Sequence, residues 1–129
     1  MIYSATLPAQ TAGAADITAL IGVYSPAFYS GDTVTDVQLV APPSYPTVIG
    51  ALADNATIAV RQLRNGVVLE TFASLVLTSG IDLVAEIPVT IPLTTAPVLR
   101  AGDVLDVRMS QNGSGQALAA GLHLSVFVS

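Results

Sequence analysis

The chain predicts an all-β fold, an antiparallel β-sandwich, and three observations carry that prediction. From the middle onward, apolar and polar residues alternate with a period of two, the signature of half-buried strands. Turn dipeptides such as Asn65-Gly66, Ser79-Gly80 and Ala101-Gly102 punctuate the alternating runs. No segment of ordinary helix length carries a 3.6-residue apolar period. About seven or eight short strands with turns between them suit two stacked antiparallel sheets. A two-sheet jelly roll with an extended N-terminal arm is the preferred topology. Strand spacing alone does not separate it from an immunoglobulin-like arrangement.

Residues 1–16 are rich in Ala, Thr and Ser, with one apolar stretch from Ile2 to Leu7. They read as an arm that either adds a strand to a sheet edge or docks on a neighbour. Residues 17–129 then form a single sandwich domain. Within it, Ile17 to Tyr24 and Thr33 to Val40 read as strands, and Thr47 to Leu52 as a weaker third. Two aromatic, proline-bearing loops separate them, Tyr24 to Tyr29 and Pro42 to Pro46. Thr57 to Arg64 is a strand, closed by Asn65-Gly66, a pair suited to the two positive-φ positions of a type I′ turn. Val67 to Leu77 returns, with Val67, Leu69, Ala73, Leu75 and Leu77 expected on one face and Glu70 and Ser74 on the other. Leu83 to Ile91 also alternates, and Pro88 assigns it to an edge or a bulge because proline donates no ladder hydrogen bond. Asp103 to Ser110 and Leu122 to Val128 complete the set. In the last strand Leu122, Leu124, Val126 and Val128 point inward, and Gln111 to Gly115 is the loop before it.

Composition bounds the chemistry. Of 129 residues, 52% are apolar; four arginines and nine acids are the only formal charges, with one His and no Cys, Trp or Lys. A 13.2 kDa chain should fold with a surface of about 6,400 Å², giving under half the charge density of an average domain. Part of that surface is therefore expected to lie against copies of the chain or a partner. The net charge is −5, and the first arginine is Arg61. Four scattered arginines supply no phosphate-binding patch, so nucleic acid is not an expected partner. No apolar run reaches the roughly 20 residues of a membrane span, no secretory signal is seen at the N-terminus, and the chain reads as soluble.

No constellation of catalytic residues is apparent. His123 alternates outward in the last strand with no nucleophile or orienting acid placed beside it. Asp103 and Asp106 are an odd number of positions apart, so strand geometry turns them to opposite faces; Asp103, after Gly102, is read as a turn residue. Asp32 and Asp36 lack the acid-rich loop of a calcium site. Gly113-Ser114-Gly115 lacks the lysine and helix of a phosphate loop. Asn55-Ala56-Thr57 and Asn112-Gly113-Ser114 match the glycosylation sequon by chance. No enzyme activity, metal or cofactor is expected. The candidates for protein contact are Ile2, Tyr3 and Leu7 in the arm and Tyr24, Phe28, Tyr29 and Tyr45 in the aromatic loops, since tyrosine joins a flat apolar ring to a polar tip.

Several segments resemble small β-sandwich proteins of tailed-phage virions, above all head-decoration or capsid-cement proteins. They are Thr57 to Gly66, Leu83 to Pro88, Leu99 to Val107, Gln111 to Gly115 and Leu122 to Val128. The resemblance implies a non-enzymatic structural protein on the outer capsid surface, partnered by the major capsid protein and by itself as a homotrimer. The alternative is a carbohydrate- or receptor-binding module of a phage tail fibre or tail tip, with Tyr24, Tyr29 and Tyr45 as a stacking platform.

Overall fold

The structure is a computed structural model and describes residues 1–25 and 31–129. Its strands are β1 (Ile2–Thr6), β2 (Ile17–Val23), β3 (Val34–Val40), β4 (Asn55–Arg64), β5 (Val67–Val76), β6 (Val89–Thr90), β7 (Val104–Asn112) and β8 (His123–Val128). They form two four-stranded sheets in the orders β1-β8-β3-β6 and β2-β7-β4-β5. Every named pairing is antiparallel. The pairs nest: β4 with β5, then β3 with β6, β2 with β7, and β1 with β8 outermost. Two further pairings, β3 with β8 and β4 with β7, knit the nested pairs into sheets. The folded surface is 6245 Å², close to the value expected from mass alone.

The core lies between the sheets. Ile58 and Val60 of β4 and Leu105, Val107 and Met109 of β7 face Val37 and Leu39 of β3 and Leu124, Val126 and Val128 of β8, all buried. Strict alternation puts them there, since period-two side chains share a face. The hairpin between β4 and β5 turns on Asn65 and Gly66, with φ of 53° and 76°, the two left-handed residues of a type I′ turn.

Residues 1–16, expected as an arm, lie against the chain's own sandwich. β1 pairs with β8 from Ile2 opposite Phe127 to Thr6 opposite His123. The pairing runs on through Leu7 N to Leu122 O (2.7 Å) and Gln10 N to Leu118 O (2.9 Å). The buried Gln10 then donates Nε2 to Met109 O at 3.0 Å and Ala15 O at 3.1 Å, holding the segment where it crosses to the second sheet. Of the two roles expected for this segment, the one seen is a strand added to a sheet edge.

Three expectations for the strands need correction. Leu83 to Ile91 is not one strand: Glu86 adopts φ 62° and Ile87 N bonds back to Val84 O (3.1 Å), so only Val89–Thr90 pairs as β6, at the sheet edge. Thr47 to Leu52 supplies only a bridge between Val48 and Leu83. In β5, register shifts opposite Val60/Arg61 and Gln62/Leu63 insert Phe72 and Leu69 as extra residues. Phe72 and Ala73 therefore both point inward, while Val67, Val68 and Leu69 are all exposed. A bulge breaks the alternation on which a sequence reading depends.

Candidate functional site

The outer face of sheet β2-β7-β4-β5 departs from the polar surface that an open antiparallel sheet normally shows to water. Residues paired in register share a face, so the register defines the rows crossing it. Val23, Val104, Leu63 and Val68 line up across all four strands as an apolar row. Val23 and Val68 are 49% and 41% exposed, and Leu20, on the next row, is 66% exposed. Val67 and Leu69 are exposed as well, but Val67 pairs with Arg64 and so shares the opposite face from Val68.

The rest of that second row is Asp106, Arg61 and Thr71. Arg61 donates Nε to Asp106 Oδ1 and Nη2 to Asp106 Oδ2, both at 2.8 Å. This fork keeps the guanidinium charged, and the bonded carboxylate raises the Arg61 pKa above its usual value. The third row holds Thr18, Arg108, Ala59 and Ser74, and Arg108 pairs with Asp16. The charges on this face are thus satisfied within it.

A third ion pair closes the end of the sandwich. Asp103 accepts from Arg64 Nε (2.8 Å) and Nη2 (2.9 Å), from Gln62 Nε2 (2.8 Å) and from Arg100 N (2.8 Å). Its side chain is 1% exposed. The bonds from Arg64 foremost, with those from Arg100 and Gln62, outweigh the burial and hold its carboxyl at about 2. Asp103 and Asp106 therefore face opposite ways, each with its own arginine, and their carboxyls do not converge.

The residues proposed from sequence fall into three groups. Ile2 is exposed beside Phe127 on the outer face of sheet β1-β8-β3-β6, and Tyr3 is half-buried against Gly22, joining β1 to β2. Leu7, Tyr24 and Tyr45 are core residues and present no side chain to a partner, which corrects their assignment as contacts. Tyr24 donates its hydroxyl to Asp32 Oδ2 (2.6 Å), and burial with that bond pushes its phenol pKa up. Tyr45 donates to Ala119 O (2.8 Å). A buried tyrosine needs a partner for its hydroxyl, and the sequence holds no sign of either acceptor. Phe28 and Tyr29 lie outside the described residues.

The apolar row was missed by sequence reasoning, yet one signal was present. Val67, Val68 and Leu69 are consecutive, and three apolar neighbours on a strand cannot all face inward. His123 is exposed on the opposite sheet, and no acid-histidine cluster suited to a metal occurs among the described residues. Asn112 donates Nδ2 to Asn55 Oδ1 (2.8 Å) and Thr57 Oγ1 (2.9 Å), so both sequon asparagines are engaged within the fold.

No protein-family model and no curated protein matches the chain. Among solved structures, a chain in "Structure of infectious bursal disease virus Gx strain" aligns over 98% of this chain with a TM-score of 0.44 and 9% identity. This chain spans 31% of that chain's length.

Proposed function

We propose that the protein is a non-enzymatic structural component of a virion, which decorates and stabilises a phage capsid through contacts with the shell and between its own subunits. The observation that carries this reading is the apolar row on a sheet whose inner face is already packed. An exposed patch on the order of 400 Å² is the scale at which surfaces mark interaction sites. The nested strand order supports the architectural half of the proposal. We read β1-β8-β3-β6 against β2-β7-β4-β5 as a jelly roll of two Greek keys, an architecture used by viral shell domains and by lectins. It differs from the immunoglobulin sheets, in which seven strands divide as four and three.

Fold alone does not assign function, so the surface must separate the shell reading from the lectin-like one. Of the stacking platform that a glycan-binding module would use, Tyr24, Tyr29 and Tyr45, Tyr24 and Tyr45 are buried with their hydroxyls bonded, and Tyr29 lies outside the described residues. The shell reading needs no such platform. It uses distributed apolar contact, repeated over many copies. The major capsid protein and further copies of this chain, grouped in threes as the resemblance implies, are the proposed partners, on the outer surface of the shell.

The test is re-addition. Capsids lacking the protein are mixed with the purified chain, sedimented, and then challenged by heat. Saturable co-sedimentation with a raised temperature of capsid rupture supports the proposal. Failure of the chain to bind any form of the shell overturns it.

A further inference from the structure

We infer that the outer face of sheet β2-β7-β4-β5 is the surface through which copies of this chain meet, each turning the row Val23, Val104, Leu63 and Val68 toward the same row of a second copy. The inference deepens the proposed contact role and rests on it, but its test requires no capsid.

Charge selects the occupant. The protein carries a net charge of −5, so two copies repel one another over most approaches. Three of the four arginines are paired, with Asp16, Asp103 and Asp106. The net charge therefore resides entirely in groups outside these pairs. Asp36 lies on the outer face of the other sheet. Asp32, Asp54, Asp82 and Glu86 lie in loops or turns, as does the fourth arginine, Arg100, and Glu70 sits on the edge strand β5. The face itself is electrically balanced, with Arg61–Asp106 in its middle and Arg108–Asp16 toward one end. It is where a second acidic copy can approach without like-charge repulsion. A basic partner, by contrast, would be drawn to the acidic loops and edges.

Geometry agrees with charge. Four strands spaced about 4.8 Å apart, each running some 25–30 Å, give a face of roughly 500 Å² in projection. Two such faces bury about 1,000 Å², the threshold of a specific interface. Twisted sheets stack face to face at about 10 Å, so apolar rows on two copies can interleave as the inner faces of one sandwich do. Leu20, 66% exposed at the margin of the row, is the side chain best placed to enter the opposing copy.

The experiment is analytical ultracentrifugation of the full chain over a dilution series. The wild type is expected at twice 13.2 kDa, since a row that faces the same row pairs two copies, dissociating on dilution. Leu20→Asp and Val68→Asp, both at exposed positions, are expected at the monomer mass with unchanged far-UV circular dichroism. Ser4→Asp, on the outer face of the other sheet, should assemble like the wild type. A second readout needs no variant: methyl resonances of Val23, Leu63, Val68 and Val104 should shift on dilution while those of Val40 and Ile2 stay fixed. A wild type that is monomeric at every concentration overturns the inference. So does an assembly that survives both aspartate substitutions. A monomeric Leu20→Asp that still co-sediments with capsids would leave the shell reading intact, while loss of shell binding by an assembled wild type would remove only that reading.

Discussion

Replacing Asp103 by Asn tests the physical account of the sandwich end. The carboxylate is buried and accepts four hydrogen bonds, two from Arg64 and one each from Gln62 and Arg100. Asn matches its shape but substitutes an N–H donor for one acceptor oxygen, so a donor would face the Arg64 or Gln62 donors. The magnitude follows from linkage. Asp103 is lowered from 3.8 to about 2 in the folded protein, which corresponds to about 2 kcal/mol of stability at neutral pH. Removing one partner of a fully buried pair costs about 3–5 kcal/mol, but Arg64 is 31% exposed and recovers some hydration. The expected loss is therefore about 2–3 kcal/mol, or a fall in Tm of roughly 10 °C for a domain of this size. The folded pKa is depressed, so the contribution is complete above the unfolded value of 3.8 and disappears as pH falls through about 2. Urea unfolding of wild type and Asp103→Asn, followed by circular dichroism, measures the gap at neutral pH and through that acid window. The gap should close as the pH drops. A gap below about 0.5 kcal/mol at neutral pH, or one that does not change with pH, would refute the reasoning.

Three further changes probe other parts of the fold. Gly50→Ala should destabilise by about 1–3 kcal/mol in a urea melt, because an added Cβ would overlap the backbone oxygens of Thr78 and Ile81; unchanged stability would contradict that close approach. Tyr45→Phe removes the 2.8 Å bond to Ala119 O and should cost about 1–2 kcal/mol, whereas a neutral result would mean that water replaces the phenol. Phe72→Ala, at the bulge of β5 where the ring is fully buried, should cost about 3–5 kcal/mol by thermal unfolding. A small effect there would place the ring outside the core.

The legibility of the fold varied with the regularity of the backbone. β7 and β8 alternate without interruption, and Leu105, Val107, Met109, Leu124, Val126 and Val128 are buried as their period requires. The hairpin at Asn65-Gly66 was equally plain, because its turn chemistry is local. Leu83 to Ile91 misled: its alternation is real as letters, but Glu86 turns left-handed and breaks the strand. β5 misled differently, since two bulges move Phe72 inward and leave Val67 and Leu69 outside. Nor is the register joining β1 to β8 legible, because Ile2 and Phe127 meet from opposite ends of the chain.

The candidate surface was less legible still. An outward-facing apolar row exists only once four strands are set side by side, and Val23, Leu63, Val68 and Val104 have no sequence pattern in common. The tyrosines were conspicuous as residues, but their environment was not. Asp32 and Ala119 supply acceptors that turn Tyr24 and Tyr45 into core side chains. Arg61 and Asp106 are likewise unremarkable letters until β4 and β7 bring them opposite one another. Sparse charge led to contact as the expected mode of action, and the register shows an apolar row that the sequence did not.

The central claim is that this protein is a fixed component of a viral shell. Quantitative mass spectrometry of purified particles, from the phage proposed to carry the protein, tests it most directly. The account predicts the protein at a constant ratio to the major capsid protein through density-gradient purification, and its selective loss from particles built with Leu20→Asp if subunit contact secures it. Particles that contain none of the chain, or only traces that vary between preparations, would contradict the account.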